Sequence, residues 1–164
     1  MSTLWSYFWP CLVAGLLVGG IGGLFAFRRK RKSPAIVAAL LAIAAAAAWH
    51  GPLGAADRFT ARIERQAREA LNYYEMPRVT AHLHRAPLSR RLVLVGQVND
   101  WQRGELARLF SQLPGVSRAT WSEGDAGLPL VVEAILAAIA GFLGGLLIAY
   151  LIDLRRRYNA QWTW

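Results

Sequence analysis

The fold is decided by residues 128–152, LPLVVEAILAAIAGFLGGLLIAYLI, which carry no charge except that of Glu133. A bilayer core needs about 20 consecutive apolar residues in helical form, so this stretch predicts a membrane-spanning helix. Two further apolar stretches precede it, residues 4–27 and the alanine-rich residues 35–49. As a helix the second of these covers only about 23 Å, so we expect it to thin the membrane or to lean on its neighbours.

The composition of the chain agrees with a membrane protein that has one small additional domain. Of its 164 residues, 55% are hydrophobic and 18% are charged, whereas soluble domains average roughly 45–50% apolar residues. Cys11 is the single cysteine, so neither an intrachain disulfide nor a cysteine-based metal site is expected. These figures argue against a soluble multidomain enzyme, a disordered chain and a disulfide scaffold.

Basic residues predict the direction in which the spans cross. Short loops rich in Lys and Arg stay on the cytoplasmic side. We therefore expect the N-terminus and residues 50–127 outside a bacterial inner membrane, with the first loop and the C-terminus inside. Five of the basic residues that give the chain its net charge of +9 lie in the first loop. Phospholipid headgroups, rather than nucleic acid, are therefore the expected anionic partners. The residues assigned to topology and lipid contact are Arg28, Arg29, Lys30, Arg31, Lys32, Arg155, Arg156 and Arg157.

The prediction divides the chain into six segments. They are a first membrane helix (1–27), a basic cytoplasmic loop (28–34), a second membrane helix (35–49), an outer domain (50–127), a third membrane helix (128–153), and a basic and aromatic cytoplasmic tail (154–164). One alternative concerns the second helix, because a basic run followed by an apolar stretch ending in Ala-x-Ala is also typical of a cleaved secretory signal. Its internal position, behind a full span, favours a membrane helix.

The outer domain shows the periodicities of a small α+β fold. Apolar residues three or four apart predict an amphipathic helix, and alternating apolar and polar residues predict half-buried strands. The predicted order is a helix over 58–74 that buries Phe59, Ile63, Ala67, Leu71 and Tyr74, a strand over 79–84, a turn with Pro87 and Ser89, a strand over 92–98, a helix capped by Asn99 or Asp100, and a strand over 116–121.

Two short motifs resemble the BON domain family over about residues 57–121. They are Leu94-Val95-Gly96-Gln97-Val98, and Leu113-Pro114-Gly115-Val116 after the second helix. The resemblance implies a non-catalytic module of cell envelopes that associates with membrane surfaces or partner proteins. Gly96 would permit a close backbone approach and Gly115 would take a left-handed conformation after Pro114. The segment before the glycine strand departs from the family, since it is basic where the family has a longer, more acidic stretch.

Two histidines are the candidates for metal chemistry. His82 and His84 lie two residues apart on a predicted strand, so they point the same way and could begin a zinc or copper site. A third ligand would have to come from Glu75, His50 or a partner. Two polar residues on the solvent face of a sheet are the favoured interpretation, and we expect no metal, no cofactor and no catalytic residue.

Glu133 is a candidate of another kind, because an ionisable group within a membrane span marks a functional site by default, such as a proton relay. Its depth is only about 6–8 Å from the outer end of the helix. The favoured interpretation is therefore that Glu133 reaches the interface or pairs with an arginine of the outer domain.

Small residues recur every four positions in two of the spans. Such stripes let the backbones of membrane helices approach closely. The sequence leaves open whether the stripes face each other or another protein. They comprise Gly15, Gly19 and Gly23 in the first span and Ala137, Gly141, Gly145 and Ala149 in the third.

The sequence thus predicts three transmembrane helices and a small α+β outer domain. The expected function is that of a non-catalytic accessory or assembly subunit in an inner-membrane complex, with other integral membrane proteins and phospholipids as partners. The alternatives are a homo-oligomeric envelope scaffold and a small proton- or ion-conducting protein that uses Glu133.

Overall fold

The computed structural model describes residues 3–29, 31–124 and 127–160. The chain divides into two compact units, unit 1 (Met1–Tyr7 and Gly54–Glu133) and unit 2 (Phe8–Leu53 and Ala134–Trp164). In chain order the described residues form α1 (Thr3–Arg29), α2 (Ser33–His50), α3 (Ala55–Tyr73), β1 (Thr80–Arg85), β2 (Leu88–Val95), α4 (Asp100–Phe110), β3 (Arg118–Thr120) and α5 (Leu130–Ala160). The predicted order helix, strand, strand, helix, strand is found between α2 and α5.

Three of the helices in the described residues, α1, α2 and α5, are long and apolar enough to cross a membrane. Helix α2 has 18 residues and a length of about 27 Å, because Ser33 and Pro34 extend it ahead of the predicted start at Ala35 and His50 extends it by one residue at the other end. Proline suits this position because its missing N–H has no helical partner there anyway.

Helix α5 continues to Ala160 and so includes most of the segment predicted as a separate tail after residue 153. No glycine or proline follows Gly145 in this helix. An ion pair one turn apart, Arg157 Nε to Asp153 Oδ2 at 2.7 Å, adds to the stability of the extension.

The sheet in the described residues has the strand order β1-β2-β3. Strand β1 runs antiparallel to β2, with His82 opposite Val93, and β2 runs parallel to β3, with Leu92 opposite Ala119. Parallel neighbours need a crossover connection, which α4 provides. The central strand β2 is buried over Leu92–Leu94, so it forms the middle of the core of unit 1.

The core of unit 1 forms where the apolar stripe of α3 meets the sheet and α4. The start of α1 joins this core, because the rings of Tyr7 and Phe59 lie 5.3 Å apart and both side chains are buried. Other fully or almost fully buried side chains of unit 1 include Ile63, Ala67, Leu71, Leu83, Leu92, Val93, Leu94, Leu106, Phe110 and Leu130.

Strand β2 differs from its prediction at both ends. It begins at Leu88, four residues before the predicted start, and it ends at Val95 rather than Val98. The connection between the strands is only Ala86-Pro87, because Arg85 already pairs with Leu88. Ser89, which was predicted to lie in the turn, is therefore a buried strand residue.

The turns of unit 1 depend on particular residues. The prediction of a cap at Asn99 is confirmed: Gln102 N donates to Asn99 Oδ1 at 2.8 Å, and Asn99 N donates to Gln102 Oε1 at 3.2 Å. Gly96 follows β2, and a Cβ there would lie 2.6 Å from the Arg78 carbonyl oxygen. Gly115, after Pro114, has φ +112° and lies against Ile63, so both glycines occupy places that a side chain would disturb.

Candidate functional site

The two small-residue stripes face each other inside unit 2. Gly15 lies against the backbone of Ala138, Gly19 against that of Phe142, and Gly23 against Leu146 and Ala149. Because the contacts advance in the same direction along both helices, α1 and α5 run parallel. Because these positions carry little or no side chain, the backbones of α1 and α5 approach each other closely. The stripes therefore pack against each other within one molecule.

Helix α5 contributes its own glycines to this contact. A Cβ added at Gly141 would overlap the Leu12 carbonyl oxygen, and one added at Gly145 would overlap that of Leu16. By contrast, a Cβ added to the adjacent Gly144 has no atom within 4 Å of it. The contact surface is therefore one narrow row of the helix.

The buried row of α5 departs from the predicted stripe at its beginning. Ala137 is only half-buried, whereas Ala134 and Ala138 are buried together with Ala149. Because the helix has 3.6 residues per turn, residues spaced strictly four apart drift away from a straight contact line. The residues of the contact row are therefore spaced four apart in most turns and three apart in an occasional turn.

Helix α2 packs in unit 2 through alanines. Gly22 of α1 lies against the Cβ of Ala38, and Ala38 and Ala42 form a buried cluster with Phe142. Ala46, one turn further along, is also buried. All three long helices thus present small residues to their contacts.

The basic residues of unit 2 collect at one end. The rings of Phe27 and Tyr150 lie 5.8 Å apart, which places the end of α1 beside the last third of α5. The basic residues after Phe27 and those after Asp153 therefore lie at the same end of the unit. Arg28, Arg29, Arg31, Lys32, Arg155, Arg156 and Arg157 are all exposed, and Lys30 lies outside the described residues.

Glu133 has a specific partner in unit 1. Arg90 Nε donates to Glu133 Oε2 at 2.6 Å, and the two side chains are only 23% and 17% exposed. A charge-assisted bond of this length between groups that are mostly shielded from solvent is strong. The carboxylate at the first turn of α5 is thus bonded to an arginine of the α+β domain, as the favoured interpretation of Glu133 predicts.

The histidines of β1 make separate contacts. His82 Nε2 lies 3.7 Å from Glu123 Oε1, and His84 Nδ1 lies 3.1 Å from the Pro87 carbonyl oxygen. Within the described residues, no three His, Cys, Asp or Glu side chains come together in a group that could hold a metal ion.

An exposed aromatic surface in unit 1 was not among the features predicted from the sequence. Tyr74 was predicted to be buried, but α3 ends at Tyr73 and the rings of Tyr73 and Tyr74 stack edge-on outside the core at 5.3 Å. Tyr73 is 82% exposed and Trp101 is 75% exposed, and Val95 is exposed as well. We call these four residues the aromatic surface.

The aromatic surface lies at one end of the sheet. The α3–β1 connection meets the β2–α4 connection there, because Gly96 touches Arg78 and Val79. Trp101, in the first turn of α4, follows directly after the cap at Asn99. The helical pattern in the sequence predicts that Trp101 lies near the cap of α4. Whether another element covers its ring depends on the tertiary fold.

No family model, no curated protein and no solved structure matches this chain. The BON resemblance therefore stays a prediction that depends on Gly96, Pro114 and Gly115 and on the order of elements around them.

Proposed function

We propose that this chain is a non-catalytic accessory or assembly subunit of a larger complex in a bacterial inner membrane. Helices α1, α2 and α5 would anchor it in the bilayer, and unit 1 would bind a partner on the outer side. The observation that carries the proposal is the aromatic surface, which exposes large apolar side chains on a domain that otherwise has an ordinary buried core.

Large aromatic residues at the surface of a folded domain mark interaction sites when they occur together. Tyrosine and tryptophan supply much of the binding energy at protein interfaces, because each buries a large apolar area and still offers a polar atom. Tyr73, Tyr74 and Trp101 fit this role, and Arg78, in the connection between α3 and β1, is exposed as well.

Two contacts support the proposed topology. The start of α1 packs against α3 in unit 1, where Arg62 Nη1 also donates to Ser6 Oγ at 3.3 Å, so the N-terminus and the α+β domain belong on the same side. Within unit 2 the parallel α1 and α5 bring the two basic clusters to one end, and basic clusters favour the cytoplasmic side.

Unit 1 would act as a BON-like module in this proposal. Its helices and strands follow the order in which the two motifs were recognised, Gly96 lies close to the Arg78 backbone, and Gly115 has a positive φ after Pro114. A module of this kind binds partners or membrane surfaces without a reaction of its own.

The packing also bears on the two alternative functions. The glycine stripes that a homo-oligomeric scaffold would use are occupied by contacts within the chain. The acid that a proton pathway would use is bonded to Arg90. Both observations favour the accessory subunit.

The test is to purify the tagged full chain from native membranes in mild detergent and to identify stoichiometric companions by mass spectrometry. We expect a defined complex with the natural sequence and its loss with the double variant Tyr73→Ser/Trp101→Ser. Leu128→Ser, which also removes an exposed apolar side chain from unit 1, should leave the complex intact.

Recovery of the chain alone, as a monomer or as a ladder of its own copies, would contradict the proposal. Retention of the companions by the double variant would show that the aromatic surface is not the docking site. Circular dichroism of each variant shows whether unit 1 has kept its fold, so that a loss of binding is not mistaken for unfolding.

A further inference from the structure

Two apolar grooves flank the last third of α1 in unit 2. The larger groove, of ≈ 600 Å³, lies between α1 and α2 and is lined by Ile21, Phe25 and Val37 among others. The smaller groove, of ≈ 280 Å³, lies on the other side of α1. Ile21 and Phe25 line both grooves, so these two exposed side chains form a ridge that separates them.

Each groove has a cationic end. Arg29 and Ser33 line the larger groove at the junction of α1 and α2. Arg28 and Arg156 line the smaller one at the ends of α1 and α5. The remaining lining is almost entirely aliphatic or aromatic, so the grooves combine apolar walls with three guanidinium groups at a single end of the unit.

We propose that this pair of grooves binds one anionic diacyl phospholipid of the inner leaflet. Its two acyl chains lie on either side of the ridge of Ile21 and Phe25, and its phosphate lies among Arg28, Arg29 and Arg156. The site rests on the membrane insertion within the proposed function, but it needs no partner protein.

Shape and charge together select this ligand. Two adjacent grooves that meet at one charged end match the two chains and the single headgroup of a phospholipid. Burial of a chain gains little free energy when the alternative surroundings are other lipid chains, so the preference for an anionic lipid must come from the arginines. A Lys or Arg near an anionic membrane surface contributes about 1 kcal/mol, which is roughly a fivefold preference for each residue.

The experiment uses the purified full chain in nanodiscs of phosphatidylcholine that contain a minor fraction of phosphatidylglycerol. Native mass spectrometry after release counts the lipids that stay bound. We expect one retained phosphatidylglycerol with the natural sequence. Arg28→Gln/Arg29→Gln should lower the preference for phosphatidylglycerol by roughly 25-fold if the two arginines contribute independently.

Two matched controls separate the site from a general attraction of charges. Arg31→Gln/Lys32→Gln removes the same charge from the same loop, but neither residue lines a groove, so the preference should change much less than it does in Arg28→Gln/Arg29→Gln. Val37→Phe fills the larger groove without changing the charge and should abolish retention, whereas Ile36→Phe, at an exposed position outside both grooves, should not.

Equal losses in both charge variants would overturn the proposal, because they would show a diffuse basic surface. Retention of phosphatidylglycerol by Val37→Phe would overturn it too. Either result leaves the proposed subunit function standing, since that is tested by companions from native membranes rather than by lipids.

Discussion

At the scale of single residues, Gly115 shows most directly how a side chain that is absent shapes unit 1. Its φ of +112° is unfavourable for any L-residue with a Cβ, and such a Cβ would lie 2.5 Å from Ile63 Cδ1. Gly115→Ala should therefore destabilise unit 1 by about 1 to 3 kcal/mol. Hydrogen exchange of the β2 amides in the detergent-solubilised full chain measures this loss.

Gly104 is the control for that substitution. It lies within α4, and a Cβ there has no atom within 4 Å of it. Alanine is favoured over glycine inside a helix by up to about 1 kcal/mol, so Gly104→Ala should slow exchange slightly. If Gly115→Ala and Gly104→Ala changed hydrogen exchange in the same way, the backbone conformation at Gly115 would not explain the result.

The ion pair between Arg90 and Glu133 makes a second prediction at this scale. Glu133→Gln and Arg90→Gln each leave a largely buried charge without its partner, and each should cost about 1 to 3 kcal/mol of unfolding free energy. The double variant should cost less than the sum of the two, because contacting residues are coupled. Denaturant unfolding in micelles of the natural sequence, the two single variants and the double variant gives the four free energies of this double-mutant cycle.

An exposed pair provides the comparison. Arg108 and Glu105 lie 3.0 Å apart but are mostly in solvent, so Glu105→Gln should cost less than about 1 kcal/mol. Strictly additive losses at Arg90 and Glu133 would contradict the coupling that the short distance implies.

The residues that could be predicted from sequence are those whose role is local. The cap at Asn99 depends on residues three positions apart, and the turn at Gly115 depends on its immediate neighbours. The partner of Glu133 lies 43 residues away, and several arginines of the domain were equally plausible on sequence grounds. Only the fold selects Arg90 among them.

At the scale of elements, the contact between α1 and α5 predicts opposite outcomes for two adjacent glycines. Gly145→Val places a side chain against the backbone of Leu16, whereas Gly144→Val meets open space. Overpacking typically costs about 1 to 3 kcal/mol, so only Gly145→Val should lower the unfolding free energy in micelles. Equal stability of the two variants would mean that the helices do not pack along this row.

The long helices were predictable because apolar length alone identifies them. Strand β2 was harder, since Ser89, Arg90 and Arg91 interrupt the apolar alternation at its start. Ser89 becomes buried and Arg90 finds Glu133 only when the domain is folded. A polar run can thus be a strand when its partners come from distant parts of the chain.

At the scale of the whole molecule, the two units follow from where the sequence concentrates its apolar residues and its charges. Unit 2 contains most of the three apolar helices, and unit 1 contains the amphipathic helices and the sheet. The aromatic surface could not be foreseen in the same way. Trp101 and Tyr73 sit on helices that bury other faces, and exposure depends on which neighbours the fold provides.

The topology can be tested directly, because the proposed function needs unit 1 outside the membrane and the lipid site needs the basic end of unit 2 at the inner leaflet. In a Cys11→Ala background, Gln112→Cys in unit 1 should react with an impermeant maleimide on intact spheroplasts. Arg31→Cys and Arg155→Cys should react only after the membrane is opened, since parallel α1 and α5 bring these positions to one end. Labelling of Arg31→Cys together with Gln112→Cys on intact spheroplasts would contradict the predicted crossing of α1. Labelling of Arg155→Cys alone would contradict the predicted crossing of α5. The crossings of α1 and α5 are thus tested independently.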